Sequence, residues 1–170
     1  MIKSVMITGA NGGLGRETAR QLAAIDTTEK VYLACRNRRK AEEAAKSLET
    51  ETGRAIFEVV ELDTSDVASA RAAVASLDQT LEGLVMNAGG IIGTDFAERT
   101  ADGVTLMLAV NLLGQVVLLE DLLAADKLAN VAIFSSSETA RGVKKLGLKP
   151  PRLHSYSVDE FASVCDGSFF

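Results

Sequence analysis

A chain of 170 residues with 47% hydrophobic content suits one domain with a buried core. A net charge of −5 argues against a nucleic-acid surface, and the basic residues Arg36, Arg38, Arg39 and Lys40 form only a local patch. The two cysteines, Cys35 and Cys165, have neither metal spacing nor a disulfide framework, and the single histidine, His154, makes a zinc site improbable.

Strand and helix patterns alternate along the chain. Met1 leads straight into an apolar run, Ile2 to Ile7, which reads as a buried strand; the lack of a signal-peptide pattern points to the cytosol. Thr8-Gly9-Ala10-Asn11-Gly12-Gly13-Leu14-Gly15 follows, and then Leu14, Thr18, Leu22 and Ile25 at helical spacing. Lys30 to Cys35 reads as a second strand, and Ala41, Ala44, Ala45 and Leu48 mark one face of a second helix. Ala55 to Leu62 is a third strand, rich in β-branched residues. Asp63-Thr64-Ser65-Asp66 offers N-caps for a helix carrying Val67, Ala70, Val74 and Leu77. Leu81 to Met86 is a fourth strand, ending at Asn87-Ala88-Gly89-Gly90, and a polar loop runs from Gly93 to Asp102.

Val104 to Leu119 is mostly apolar but holds Thr105, Asn111, Gly114 and Gln115 and ends at Glu120-Asp121. It falls short of the roughly 18 uninterrupted apolar residues of a membrane span, so a core helix that also meets a partner subunit is expected. Asn130 to Phe134 is a fifth strand, ending at Ser135-Ser136-Ser137. Beyond Arg141 the pattern dissolves around Lys144, Lys145, Pro150 and Pro151, leaving a short helical hint from Val158 to Val164. The fold class is therefore α/β, a Rossmann-type doubly wound parallel sheet of about five strands. Residues 1–140 form the nucleotide-binding domain and 141–170 an irregular tail.

Glycine-rich sequence between a strand and a helix is the setting a dinucleotide site needs. The backbone must turn sharply and approach a pyrophosphate without a Cβ in the way, while unpaired N–H groups of the helix's first turn face the phosphate. Ligands of such sheets lie beyond the carboxyl ends of the strands, where Gly9, Arg36, Asp63, Asn87 and Ser136 fall. An acid after the second strand would accept from the 2′-hydroxyl of NAD; Arg36 instead offers fixed donors to a 2′-phosphate, favouring NADP, with Arg16 and Arg38 able to assist. As a solvated helix start, Arg36 would instead stand unfavourably against the helix dipole. Asp63 suits either the adenine amino group or a helix cap.

The glycine run, Asp63, Asn87-Ala88-Gly89, Asn111 and the serines at 135–137 together resemble the short-chain dehydrogenase/reductase family, in order, from Met1 to about Ser137. Ala34-Cys35-Arg36-Asn37, Thr100-Ala101-Asp102-Gly103 and Val110-Asn111-Leu112-Leu113-Gly114 resemble its branch of retinol dehydrogenases and protochlorophyllide reductases. Gly9, Gly13 and Gly15 fit the spacing of the reductases; Gly9, Gly12 and Gly15 fit that of sugar-nucleotide epimerase relatives. Asn87-Ala88-Gly89 and the Asn111 helix tip the choice to the reductases.

The resemblance implies cofactor contacts from Gly9, Asn11, Gly12, Gly13, Leu14, Gly15, Arg36, Asn37, Asp63, Thr64, Asn87, Ala88 and Gly89, with Asn87 to Gly89 lining the ribose region. It places Asn111 in a proton-relay path and Ser136, with Ser135 and Ser137 as one-residue alternatives, against the oxygen of a small carbonyl or alcohol substrate. It implies a homodimer through the helix around Asn111. The family also uses a Tyr-x-x-x-Lys pair, in which lysine lowers the tyrosine pKa. Here the tyrosines are Tyr32, inside a strand, and Tyr156, followed four residues later by Glu160. Pro150-Pro151-Arg152-Leu153 and Val158-Asp159-Glu160-Phe161 look like that branch's insertion between serine and tyrosine. The catalytic helix and last strands are then expected to be missing, which leaves the fifth strand unpaired and these residues inactive alone. The competing expectation is a dinucleotide-binding sensor or scaffold without chemistry.

Overall fold

The computed structural model describes residues 2–92, 95, 97–136, 144–147, 154–155 and 157–162. Strands β1 (Ser4–Thr8), β2 (Lys30–Cys35), β3 (Phe57–Glu61), β4 (Leu81–Met86) and β5 (Leu128–Phe134) form one sheet in the order β3-β2-β1-β4-β5. Every neighbouring pair is parallel, with Ile7 beside Leu33 on one side and beside Val85 on the other. Helices α1 (Gly13–Ala23), α2 (Arg38–Thr52) and α3 (Val67–Ser76) connect the first four strands. The fourth connection carries α4 (Leu106–Ala124), whose middle, Ala109–Leu113, is a π-helical turn.

The central strands are apolar on both faces because helices cover both, as a parallel sheet requires. One face packs Val5, Ile7, Val31 and Leu33 against Ala19 of α1 and Ala41, Ala45 and Leu48 of α2. The other packs Met6, Tyr32 and Leu84 against Ala70, Ala73 and Val74 of α3 and Leu118 and Leu122 of α4. Full burial of a leucine is worth about 1.5–3 kcal/mol, so Leu118 and Leu122 alone account for much of α4's docking.

Several boundaries differ from the pattern reading. β3 is shorter at both ends, and β5 begins two residues earlier, at Leu128. α4 runs without a break over 19 residues and is long and apolar enough to cross a membrane by length and composition alone, with a third of that window buried inside the protein. In α1 the buried side is the small-residue set Gly15, Ala19 and Ala23, while Leu14 stands 77% exposed. A helix lying close on a sheet selects small residues at the contact, and a count of large apolar residues points to the wrong side. Among the described residues the helical hint near the end of the chain covers Val158–Phe161, and the Ala162 carbonyl just after it accepts from the Thr105 N–H at the start of α4 (3.2 Å).

Candidate functional site

The strand order reverses direction at β1: the chain goes outward to β2 and β3, then crosses back to β4. That reversal opens a crevice at the carboxyl ends of β1 and β4, the place where ligands of such sheets lie. An open cleft of about 390 Å³ occupies it. Of the residues expected from the sequence, Gly9, Asn11, Arg36, Asp63, Thr64 and Ala88 line this cleft; Ala34, Cys35, Leu62, Ile91, Ile92 and Val110 complete it without having been singled out as ligand residues.

The glycine turn is built as a cradle. The Gly9 N–H donates to the Ala34 carbonyl (2.8 Å), which ties the turn to β2. Gly13 has φ +52°, a left-handed conformation that other residues adopt at a cost, whereas Gly12 at φ −171° is ordinary extended backbone. The backbone thus demands glycine at the reductase spacing, not at the epimerase spacing. A Cβ on Gly15 would stand 2.6 Å from the Gly9 carbonyl oxygen and 2.7 Å from Asn87 Nδ2, so that glycine lets α1 press against the turn. Around Gly12 and Gly13 the space is open, and no side chain caps the first turn of α1. Uncapped N–H groups at a helix start favour a negative charge before them.

A buried latch holds the opposite wall. The Thr8 hydroxyl accepts from the N–H groups of Asn87 and Ala88 (2.9 Å each) and donates to Gln115 Oε1 (3.2 Å). Gln115 Nε2 returns to the Ala88 carbonyl (2.8 Å), and Asn87 Nδ2 donates to the Thr8 carbonyl (2.9 Å). Gln115 is fully buried. The sequence shows it only as a polar interruption of an apolar helix, and its partners lie on distant strand ends. Asn111 has a similar bracing position: its Oδ1 accepts from the Gly90 N–H (2.7 Å), and its Nδ2 donates to the carbonyls of Gly90 and Met107 (2.9 Å each). It sits in the π-helical turn, and such turns gather at functional sites. Gly89 lies close enough that a Cβ there would reach 2.6 Å from Asn111 Oδ1.

On the β2–β3 side, Arg36 is 69% exposed and its Nε lies 3.9 Å from Asp63 Oδ2. The guanidiniums of Arg16, Arg38 and Arg39 are already committed. Arg16 bonds Ser47 and Glu51, Arg38 bonds Glu42 and Arg39 bonds Glu43, all within 2.8–3.0 Å. Arg16 and Arg38 are therefore turned to carboxylates, not to the cleft. Asn37 is the N-cap of α2, accepting from the Lys40 N–H (3.0 Å). Asp63 caps no helix: its Oδ1 accepts from the Ser65 N–H and hydroxyl, while Asp66 caps α3. Cys35 lies under the glycine loop; burial pushes its thiol pKa up, against donation from the Ala10 and Asn11 backbone. That makes it an inert packing thiol.

Ser136 follows β5 at the same end of the sheet and is exposed; the Ser135 N–H donates to the Met86 carbonyl (2.9 Å). Ser137, Tyr156 and Cys165 lie outside the described residues. Tyr32 is buried in β2, and its hydroxyl donates to Asp78 (3.0 Å) in the loop entering β4, at the far end of the sheet from the cleft. It has no place in the site. Among the described residues no cluster of histidine, cysteine or acidic side chains is placed to hold a metal.

The family model described as "short chain dehydrogenase" matches residues 3–146. This chain belongs to the short-chain dehydrogenase family. The chain is 36% identical over 166 residues to retinol dehydrogenase 12 of Bos taurus, covering 95% of this chain and 50% of that protein. It is 38% identical over 139 residues to retinol dehydrogenase 11 of Homo sapiens, covering 76% of this chain and 42% of that one. These relatives fall in the branch that the Ala34-Cys35-Arg36-Asn37 and Val110-Asn111 segments imply. The chain spans about half the length of these curated relatives. Among solved structures it resembles an archaeal alcohol dehydrogenase from Thermococcus sibiricus complexed with 5-hydroxy-NADP, with 26% identity, a TM-score of 0.68, and 84% and 61% of the two chains covered. It also resembles an NADPH-bound carbonyl reductase from chicken fatty liver, with 26% identity, a TM-score of 0.64, and 85% and 63% covered.

Proposed function

We propose that this chain binds NADP(H) in the β1–β4 crevice, as part of an oxidoreductase that interconverts small carbonyl and alcohol compounds. The observation that carries the reading is the cradle itself: an uncapped helix N-terminus behind open glycine backbone, with a loosely held arginine one strand away. Those residues fit a dinucleotide. The N–H groups of Gly13 to Gly15 would take the pyrophosphate, Arg36 the 2′-phosphate, and Asp63 and Thr64 the adenosine side. Leu14 and Ile91, both strongly exposed, would lie against the other half of the cofactor. When bound, the nicotinamide supplies the hydride. Asn87 to Gly89, held by Thr8 and Gln115, set the ribose wall; Ser136 would hydrogen-bond the substrate oxygen. Asn111 would serve the proton path by fixing the backbone around Gly90, since its side chain is spent on that loop.

Residues 1–140 would be the nucleotide-binding domain and 141–170 a substrate-side segment. The 170 residues contain no Tyr-x-x-x-Lys pair, so we expect binding with little turnover from them alone. The core role of Leu118 and Leu122 supports α4 as a core helix, and its half-buried Leu112, Leu113 and Val116 support pairing of two copies there.

Titration with NADPH and NADH, followed by nicotinamide fluorescence, tests the reading. NADPH is expected to bind more tightly, and Arg36→Ala to weaken NADPH by roughly 10- to 100-fold, the worth of one or two charge-assisted hydrogen bonds, while leaving NADH little changed. Equal affinity for both cofactors would overturn the role of Arg36.

A further inference from the structure

We propose that Asp63 sets how strongly the site prefers a 2′-phosphate over a 2′-hydroxyl, by competing with the phosphate for Arg36. This rests on the NADP(H) reading above and adds a specificity-determining residue to it. Asp63 and Arg36 line the same cleft from the ends of β3 and β2. The carboxylate is pinned: Oδ1 accepts from the Ser65 N–H (2.9 Å) and the Ser65 hydroxyl (2.6 Å), and the Asp63 N–H donates to Ser69 Oγ (2.9 Å). That grip directs Oδ2 to Arg36 Nε at 3.9 Å, an ion pair without the short contact its neighbours make.

A pinned carboxylate cannot swing away when a second anion arrives. The guanidinium must then be shared between Oδ2 and the incoming phosphate, and the two negative groups repel one another across it. The 2′-hydroxyl of NAD brings no charge and meets no such opposition; Asp63 even offers it an acceptor. The site is exposed, so solvent screens the effect to a several-fold change in preference. The arrangement yields a dehydrogenase whose arginine selects NADP while its aspartate moderates the selection.

The ratio Kd(NADH)/Kd(NADPH) isolates this term, because any contact between Asp63 and adenine is common to both ligands and cancels. Asp63→Asn keeps an acceptor for the Ser65 turn and is expected to fold. Asp63→Ser, also able to accept in that turn, serves as the second variant. Either substitution is expected to raise the ratio about three- to tenfold at about 0.05 M salt. The gain should shrink at about 0.5 M salt and be smaller in an Arg36→Ala background, where competition for the guanidinium is gone and only the direct repulsion between Asp63 and the phosphate remains. If Arg36→Ala lowers the ratio in the parent protein while Asp63→Asn and Asp63→Ser leave it unchanged or lower it, the proposal is wrong and Asp63 merely orients the arginine or the adenine. If the parent protein binds NADPH and NADH equally, or binds neither, the NADP(H) reading fails first and this inference falls with it.

Discussion

Two buried or half-buried polar side chains do work that no motif announces. Arg54, just past α2, donates through Nη1 to the carbonyls of Ala23 (2.7 Å) and Ile25 (3.0 Å) and through Nη2 to that of Thr28 (2.6 Å). These are end carbonyls of α1 and of the turn leading to β2, groups that the helix cannot satisfy itself. Arg54→Met keeps most of the stem and removes every donor; we expect a loss of about 2–3 kcal/mol in urea unfolding, with the NADPH-to-NADH preference unchanged. Gln115 acts at the other end of the sheet. Gln115→Leu leaves the Ala88 carbonyl and the Thr8 hydroxyl each short of a buried partner, and we expect about 1–3 kcal/mol of destabilisation and faster amide exchange at Asn87 and Ala88. Neither residue's role is readable from the sequence, because each bonds backbone atoms brought near only by the tertiary fold. Arg36, Asp63 and the glycine turn were readable, since a strand end followed by a helix start fixes where they must stand.

At the scale of elements, alternation of strand and helix patterns told that the sheet is parallel with helices on both faces, and the errors came where packing distance matters more than hydrophobicity. The buried alanines of α1 are one such case. Gly114 in α4 is another: a Cβ there would collide with the Thr64 carbonyl oxygen in the loop after β3. The helix and that loop touch backbone to backbone at Gly114 and Thr64, and Thr64 lines the cleft. Gly114→Ala is therefore expected to cost about 2–3 kcal/mol by overpacking and to weaken dinucleotide binding as the loop shifts. Tyr32 ties β2 to the loop before β4. Its hydroxyl holds the Asp78 carboxyl below the usual range, helped by Lys30, while burial raises the tyrosine itself. A lowered carboxylate stabilises the fold above its unfolded pKa and loses that as pH falls below about 4; a raised tyrosine stabilises below about 10 and loses that as pH rises. The stability difference between the parent and Tyr32→Phe, read from urea midpoints, should be flat between those limits and shrink outside both.

Across the molecule as a whole, the two faces of the sheet are unequally covered. On the α3–α4 side Leu84 and Met86 of β4 are buried in the core. On the α1–α2 side the helices protect β1 to β3, but Val85 is only half-buried and its register partner on β5, Ile133, is 53% exposed. Phe134, at the end of β5, is exposed as well. β5 is also the last strand of the described sheet, its seven residues Leu128–Phe134 carrying neither charge nor proline. Native edge strands are ordinarily guarded by one of those devices, and an apolar patch beside an unguarded edge favours association. The apparent mass of the 170-residue chain in light scattering is expected to rise with concentration. Ile133→Lys sets a charge in the middle of the bare face without touching either core cluster, and should flatten that rise while leaving NADPH affinity and any pairing through α4 unchanged. A parent chain that stays monomeric over the whole concentration range would overturn association through this face.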